Sequence, residues 1–295
     1  FTWGNPVKYY VIGNNQGMRI RDEGKIKTIE KNNYRIVVVG DSLTWGAGLR
    51  INERYSNILE EKLNQRFIEK GPIFTVFNFS YSGAPASKYP ELLQQAVNIV
   101  DPQLVIIGFC INDPQPRSES YRVEKEEFDK KYGNLLSKIE NFLISLKMNL
   151  LAKRVSQTVD NIFIYLGSYP RWEVGLNRVY DKESVEWTDF QDALKKIKHI
   201  SDGKKLPPPI FASLLQVHPS SDRFKRFFKN WHKQAEDTAL KFGFNAVNFE
   251  NEICNNLKSE DMPVNLLDGH PSAKLNMIYA DKLSNIVGSI FSDCK

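Results

Sequence analysis

What this chain of 295 residues has little of narrows its identity before any motif does. It holds three cysteines, Cys110, Cys254 and Cys294, too few and too scattered for a disulfide framework or a zinc site. Cys110 lies within an apolar run and reads as a buried thiol. Cys254 and Cys294 are both late enough in the chain to pair and equally able to stay apart, so they leave the redox compartment open. No apolar run approaches the roughly 18 residues of a membrane span, and none is expected in this chain. There is no internal repeat, no phosphate-cradling glycine loop and no cluster of metal ligands, so neither a metal nor an organic cofactor is implied. A concentrated basic stripe is also missing. The 40 Lys and Arg exceed the 35 Asp and Glu by only five and are interleaved with them, which argues against nucleic acid and leaves acidic glycans or anionic surfaces as partners compatible with the charge. The first residue is Phe1 rather than Met; if a leader or an anchor preceded it, an extracytoplasmic place, periplasmic or secreted, is the expectation.

What is present is ordinary folding material. With 41% hydrophobic and 25% charged residues, the chain is long enough for one large α/β domain or two small ones. The organising stretch is Arg35-Ile-Val-Val-Val-Gly40-Asp41-Ser42. A short β-branched run that ends abruptly in Gly, Asp and Ser predicts a buried strand presenting a hydroxyl at its carboxyl tip, where backbone N–H groups are unpaired. The same residues also suit plain turn and N-cap chemistry.

Strand and helix patterns alternate from there. An amphipathic segment carries Tyr55, Ile58, Leu59, Leu63 and Phe67 on one face; 73–79 reads as a second strand emptying into Ser80-Tyr-Ser-Gly83. After a helix broken at Asp101-Pro102, a third strand over 104–110 ends at Ile111-Asn112-Asp113. Ile210 to Val217 predicts a fourth strand ending at His218, Asn245 to Phe249 a fifth, and Ala273 opens the last helix with Ser272 as its N-cap. Apolar strands alternating with helices predict a parallel sheet covered on both faces. The run from 114 to 209 is too long for a connection and reads as a mostly helical insertion, with Asn161 to Leu166 as a short strand or a helix end. Its aromatics Tyr169, Trp172, Tyr180 and Trp187 serve either packing or substrate. Residues 1–34 read as an N-terminal arm, 35–291 as the α/β domain and 292–295 as a tail.

With Gly40-Asp41-Ser42-Leu43, Gly83, Asn112-Asp113 and Asp268-Gly269-His270-Pro271 in that order, the sequence resembles the SGNH hydrolases, or GDSL esterase/lipase family, over about 35–112 and 210–291. That resemblance implies a flavodoxin-like three-layer α/β/α sandwich with a central, mostly parallel sheet. It implies Ser42 as nucleophile, His270 as general base, and an oxyanion hole from the Ser42 and Gly83 N–H groups plus the Asn112 side chain. The residue types suit acyl transfer, which needs an activated hydroxyl, a base working near neutral pH, and donors aimed at the developing oxyanion. No Gly-x-Ser-x-Gly elbow is present, against the standard α/β-hydrolase alternative.

Two positions depart from the family pattern. Cys110 stands where the third block usually has Gly, with Gly108 four residues before Asn112. Leu267 stands where the acid usually precedes the catalytic histidine, so Asp268 is assigned the orienting role, with Asp261 or a backbone carbonyl as alternatives. His218 is a rival base or a substrate contact; His199 and His232 fit surface or core-rim positions. Asp41 and Asp113 fit structural bonds to turn N–H groups. The expected activity is a serine esterase acting on a small acyl ester, acetyl first, on a carbohydrate. Its alternatives are an O-acetyltransferase using the same serine toward a glycan hydroxyl, and a non-catalytic carbohydrate-binding or assembly module on the same fold.

Overall fold

The computed structural model describes residues 12–13, 19–20, 32–69, 71–115, 129–130, 133–165, 176–215, 222–265 and 268–293. Two short strands, β1 (Ile12–Gly13) and β2 (Arg19–Ile20), pair antiparallel; the rest of the expected arm up to residue 31 lies outside the described residues. The chain divides into two compact units, Phe1–Asp113 with Phe190–Lys295, and Pro114–Asp189.

In the first unit, strands β3 (Tyr34–Gly40), β4 (Phe74–Ser80), β5 (Leu104–Phe109), β6 (Ile210–Ser213) and β7 (Asn245–Val247) form one sheet in the order β4-β3-β5-β6-β7. Every neighbouring pair is parallel. Numbered along the chain, this is the flavodoxin-like order 2-1-3-4-5, whose direction of winding reverses between β3 and β5. β3 carries an unbroken β-branched run rather than an alternating one because both of its faces are covered. Ile36, Val37, Val38 and Val39 are all at 0% exposure, each contributing about 2 kcal/mol of burial.

Helices α1 (Ser42–Trp45), α2 (Tyr55–Arg66) and α3 (Tyr89–Val100) follow the first two strands. α3 buries Leu92, Leu93, Ala96, Val97 and Val100 and stops where Asp101 turns left-handed (φ 49°) before Pro102. Arg35 closes that end: its Nε donates to the Val100 and Asp101 carbonyls, each at 2.9 Å. Beyond β6 come α7 (Asp222–Lys241), α8 (Glu250–Asn256) and α9 (Ala273–Asp293). α9 packs along α2, with the rings of Tyr55 and Tyr279 edge-on at 6.3 Å. The N-cap expectation holds: Ser272 Oγ accepts the Leu275 N–H at 3.3 Å. The result is a three-layer α/β/α sandwich.

One expectation is corrected. β6 ends at Ser213 rather than Val217, because the Leu215 N–H donates to the Tyr279 hydroxyl at 2.9 Å instead of continuing the ladder. Residues 216–221, with His218, lie outside the described residues. The stretch before the last helix forms two short strands, β8 (Pro263–Asn265) and β9 (Asp268–Pro271), which pair antiparallel. Cys254 is a free thiol; Cys294 is outside the described residues.

The second unit contains α4 (Leu135–Ser145) and α5 (Asn149–Tyr165), which pack together. α5 settles Asn161 to Tyr165 as helix; Leu166 is not among the described residues. This unit stops short of the expected 209. α6 (Val185–Gly203) contributes Phe190, Leu194 and Ile197 to the first unit's core, with Phe190 against Phe109 at 5.6 Å. Tyr180 and Trp187 are buried, with their rings 5.2 Å apart, so of the two readings for these aromatics, packing applies. Tyr169 and Trp172 lie outside the described residues.

Candidate active site

The single-turn helix α1 is set down on the carboxyl edge of the sheet by two facing glycines. Gly40 and Gly108 are register partners on β3 and β5, and a Cβ on either would run into Thr44 Oγ1. Bare backbone at both positions lets Thr44, at 0% exposure, sink against the sheet, with the Tyr55 hydroxyl donating to its Oγ1 at 3.2 Å. Thus Gly108, displaced from the usual family position, seats the helix that begins at Ser42. Asp41 caps α1 by accepting the Leu43 N–H at 2.9 Å, and Gly46 ends the turn in the left-handed region at φ 79°. Asn78 Nδ2 donates to the Thr44 carbonyl at 2.8 Å. Ser42 therefore stands at the strand tip, its Oγ donating to Asp41 Oδ2 at 3.0 Å.

The next two strand ends supply the oxyanion candidates. Gly83 adopts φ 79° in the turn after β4, a conformation that a Cβ would strain. After β5, residues 110–113 form a turn closed twice, by Asp113 N–H to the Cys110 carbonyl at 2.9 Å and by Cys110 N–H to Asp113 Oδ2 at 3.0 Å. The Ala86 N–H donates to the Asp113 carbonyl at 2.7 Å and ties the Gly83 and Asn112 loops together. Asn112 Oδ1 is buried without a hydrogen-bond partner, so that carbonyl is not consumed by structural bonding. Burial drives the Asp113 carboxyl well above its ordinary range, and the nearby Asp41 charge adds to it. Burial also raises Asp41, against the Leu43 N–H, the charge of His270 and the Ser42 hydroxyl.

His270 sits on β9, which packs against α1. One oxygen, Asp268 Oδ1, receives both His270 Nδ1 at 2.5 Å and the His270 backbone N–H at 3.1 Å. This clamp commits Nδ1 and leaves Nε2 for other work. Asp261 is otherwise occupied, pairing with Lys274 at 2.7 Å and accepting Ser272 Oγ on its carbonyl at 2.6 Å. The loop is braced by Asn276, whose Oδ1 accepts the Tyr55 N–H at 2.9 Å while its Nδ2 donates to the Pro271 and Ser272 carbonyls at 3.3 and 3.0 Å.

Among the other histidines, His199 is exposed. His232 is buried, with Nδ1 2.7 Å from Ser213 Oγ, and burial lowers its pKa to about 4. It stays neutral above that value. Among the described residues, no group of three or more His, Cys, Asp and Glu is placed to hold a metal ion. Sequence reading missed the supporting polar residues Thr44, Asn78 and Asn276. Asn276 had a signal: it falls beside Leu275 on the inward side of α9, and a polar side chain there must find partners.

Residues 36–283 match the family model described as GDSL-like Lipase/Acylhydrolase, and the chain belongs to that family. Among curated proteins no sequence match is found. Solved structures of the same fold include LAE5, an alpha/beta hydrolase enzyme from the metagenome of Lake Arreo, Spain. It is 14% identical with a TM-score of 0.52, covering 86% of this chain and 95% of that one. Axe2, an acetylxylan esterase from Geobacillus stearothermophilus, is 15% identical with a TM-score of 0.51, covering 86% and 94%.

Proposed function

We propose that the protein is a serine esterase in which Ser42 is the nucleophile, His270 the general base and Asp268 the residue that orients it. The observation that carries this reading is the meeting of two distant segments. The Ser42 helix packs against the strand bearing a histidine whose Nδ1 is held by a carboxylate, close enough for its charge to act on Asp41. On this reading, the Ser42 hydroxyl turns from Asp41 to His270 Nε2 and gives up its proton as Oγ attacks the acyl carbon. The carbonyl oxygen becomes an oxyanion and receives the N–H groups of Ser42 and Gly83 and the Asn112 amide. Collapse expels the alcohol, which takes the proton from His270; water then repeats the sequence in reverse and frees the acid. Asp268 holds the tautomer and stabilises the imidazolium without taking the proton.

For substrate, we infer a small acyl ester, acetyl first, with a sugar hydroxyl as the alcohol. Its support is the shared fold with an acetylxylan esterase. The test is Ser42→Ala against p-nitrophenyl acetate: turnover falls at least about a thousandfold, whereas undiminished turnover refutes the assignment. Supplying an acetylated donor with a glycan acceptor distinguishes hydrolysis, which yields free acetate, from transfer, which yields an acetylated acceptor.

A further inference from the structure

Helix α4 turns most of its apolar side chains to solvent. Leu135, Ile139, Phe142 and Leu146 recur at helical spacing on one face and are exposed, Leu135 at 70% and Phe142 at 62%. The residues it buries are Leu136, at 9%, and Ser137 and Glu140, at 3% each, and Ser137 Oγ donates to Asp129 at 2.7 Å. The apolar surface continues around the turn into α5 through Met148 and Leu150, also exposed. A surface helix of a globular domain normally does the opposite, and a contiguous exposed apolar patch of this kind marks an interaction site.

The charges choose the occupant. Between Gly133 and Val159 the sole acidic residue is Glu140, which is buried, while Lys138, Lys147 and Arg154 are exposed. Lys147 stands at the turn itself, in the left-handed region at φ 59°. Apolar side chains accompanied, among the described residues of 133–159, by exposed cations and no exposed acid match an anionic lipid surface, into which the apolar face inserts while the bases meet headgroup phosphates. A second copy of this chain brings the same cations face to face, which opposes pairing. No described helix is long and apolar enough to cross a membrane, so the contact is peripheral. We propose that the α4–α5 hairpin docks the protein on an anionic bilayer. This does not depend on the esterase reading.

The test is sedimentation of the whole chain with vesicles of phosphatidylcholine alone and of phosphatidylcholine mixed with phosphatidylglycerol. The protein is expected to co-sediment with the mixed vesicles at least about tenfold better than with the neutral ones, and less at high salt. Phe142→Glu with Leu146→Glu is expected to lose this binding while keeping the thermal unfolding midpoint, since both side chains are already in solvent. Lys147→Glu with Arg154→Glu is expected to lose the preference for phosphatidylglycerol. Failure to bind the mixed vesicles, binding by the Phe142/Leu146 variant equal to the parent's, an undiminished preference for phosphatidylglycerol in the Lys147/Arg154 variant, or a stable dimer that the Phe142/Leu146 variant dissociates would each overturn the proposal.

Discussion

Helices α3 and α4 both carry a clear apolar stripe, and the protein treats the two stripes in opposite ways. α3 puts Leu92, Leu93, Ala96, Val97 and Val100 against the sheet, whereas α4 leaves Leu135, Phe142 and Leu146 in water and buries Ser137 and Glu140. In the first unit, sequence pattern and packing agree because a five-stranded parallel sheet offers apolar area on both faces. In the second unit the stripe on α4 stays exposed. The contrast teaches that periodicity announces a face without saying what covers it.

The sharpest way to probe the first unit is through Asp268, proposed above to orient the base. Asp268→Asn is expected to lower kcat by about a hundredfold to ten-thousandfold with KM little changed, measured on p-nitrophenyl acetate. An unaltered kcat would move the orienting role elsewhere.

Next in size is Gly108→Ala, which places a Cβ against Thr44 Oγ1 and 2.8 Å from the Tyr55 hydroxyl. It is expected to cost about 2 kcal/mol of stability and to lower activity by displacing α1. A thermal melt equal to the parent's would show that the glycine pair is not what seats the nucleophile.

His232 gives a smaller and pH-dependent effect. Its folded pKa of about 4 lies below its ordinary 6.5, so the unfolded chain takes up the proton first as pH falls. The stability from keeping it neutral is complete above about 6.5 and declines towards 4, by on the order of 1 kcal/mol per pH unit. Asp113 works the other way, because its raised folded pKa favours the folded state as pH falls. Unfolding curves of the parent and His232→Gln across this range isolate the histidine, since the difference between them should shrink as pH drops; a difference that does not vary contradicts the assignment.

Smallest of all is Phe142→Ser in the second unit. It is expected to change stability by less than about 0.5 kcal/mol, against several for removing a buried side chain of α3. A large loss would mean that the face is covered after all.

Much of the first unit was legible because its signals are local. The β-branched run ending at Gly40-Asp41-Ser42, the break at Asp101-Pro102 and the Ser272 cap each depend on neighbours in the chain. What was not legible depends on residues far apart. Thr44 between Gly40 and Gly108, and Asn276 bridging Tyr55 and Pro271, both require the sheet to exist first. The end of β6 was misplaced for the same reason, since Tyr279 on the last helix takes the Leu215 N–H. The boundary at Asp189 was missed because Phe190 packs on Phe109, and helical spacing alone does not reveal which core a stripe serves.

One measurement bears most directly on the union of Ser42 and His270. Treat the protein with a fluorophosphonate and locate the adduct by mass spectrometry, in the parent and in His270→Asn. The account predicts a single covalent adduct on Ser42 that forms far more slowly in the variant. An adduct on another residue, or equal labelling of Ser42 in both proteins, would contradict it.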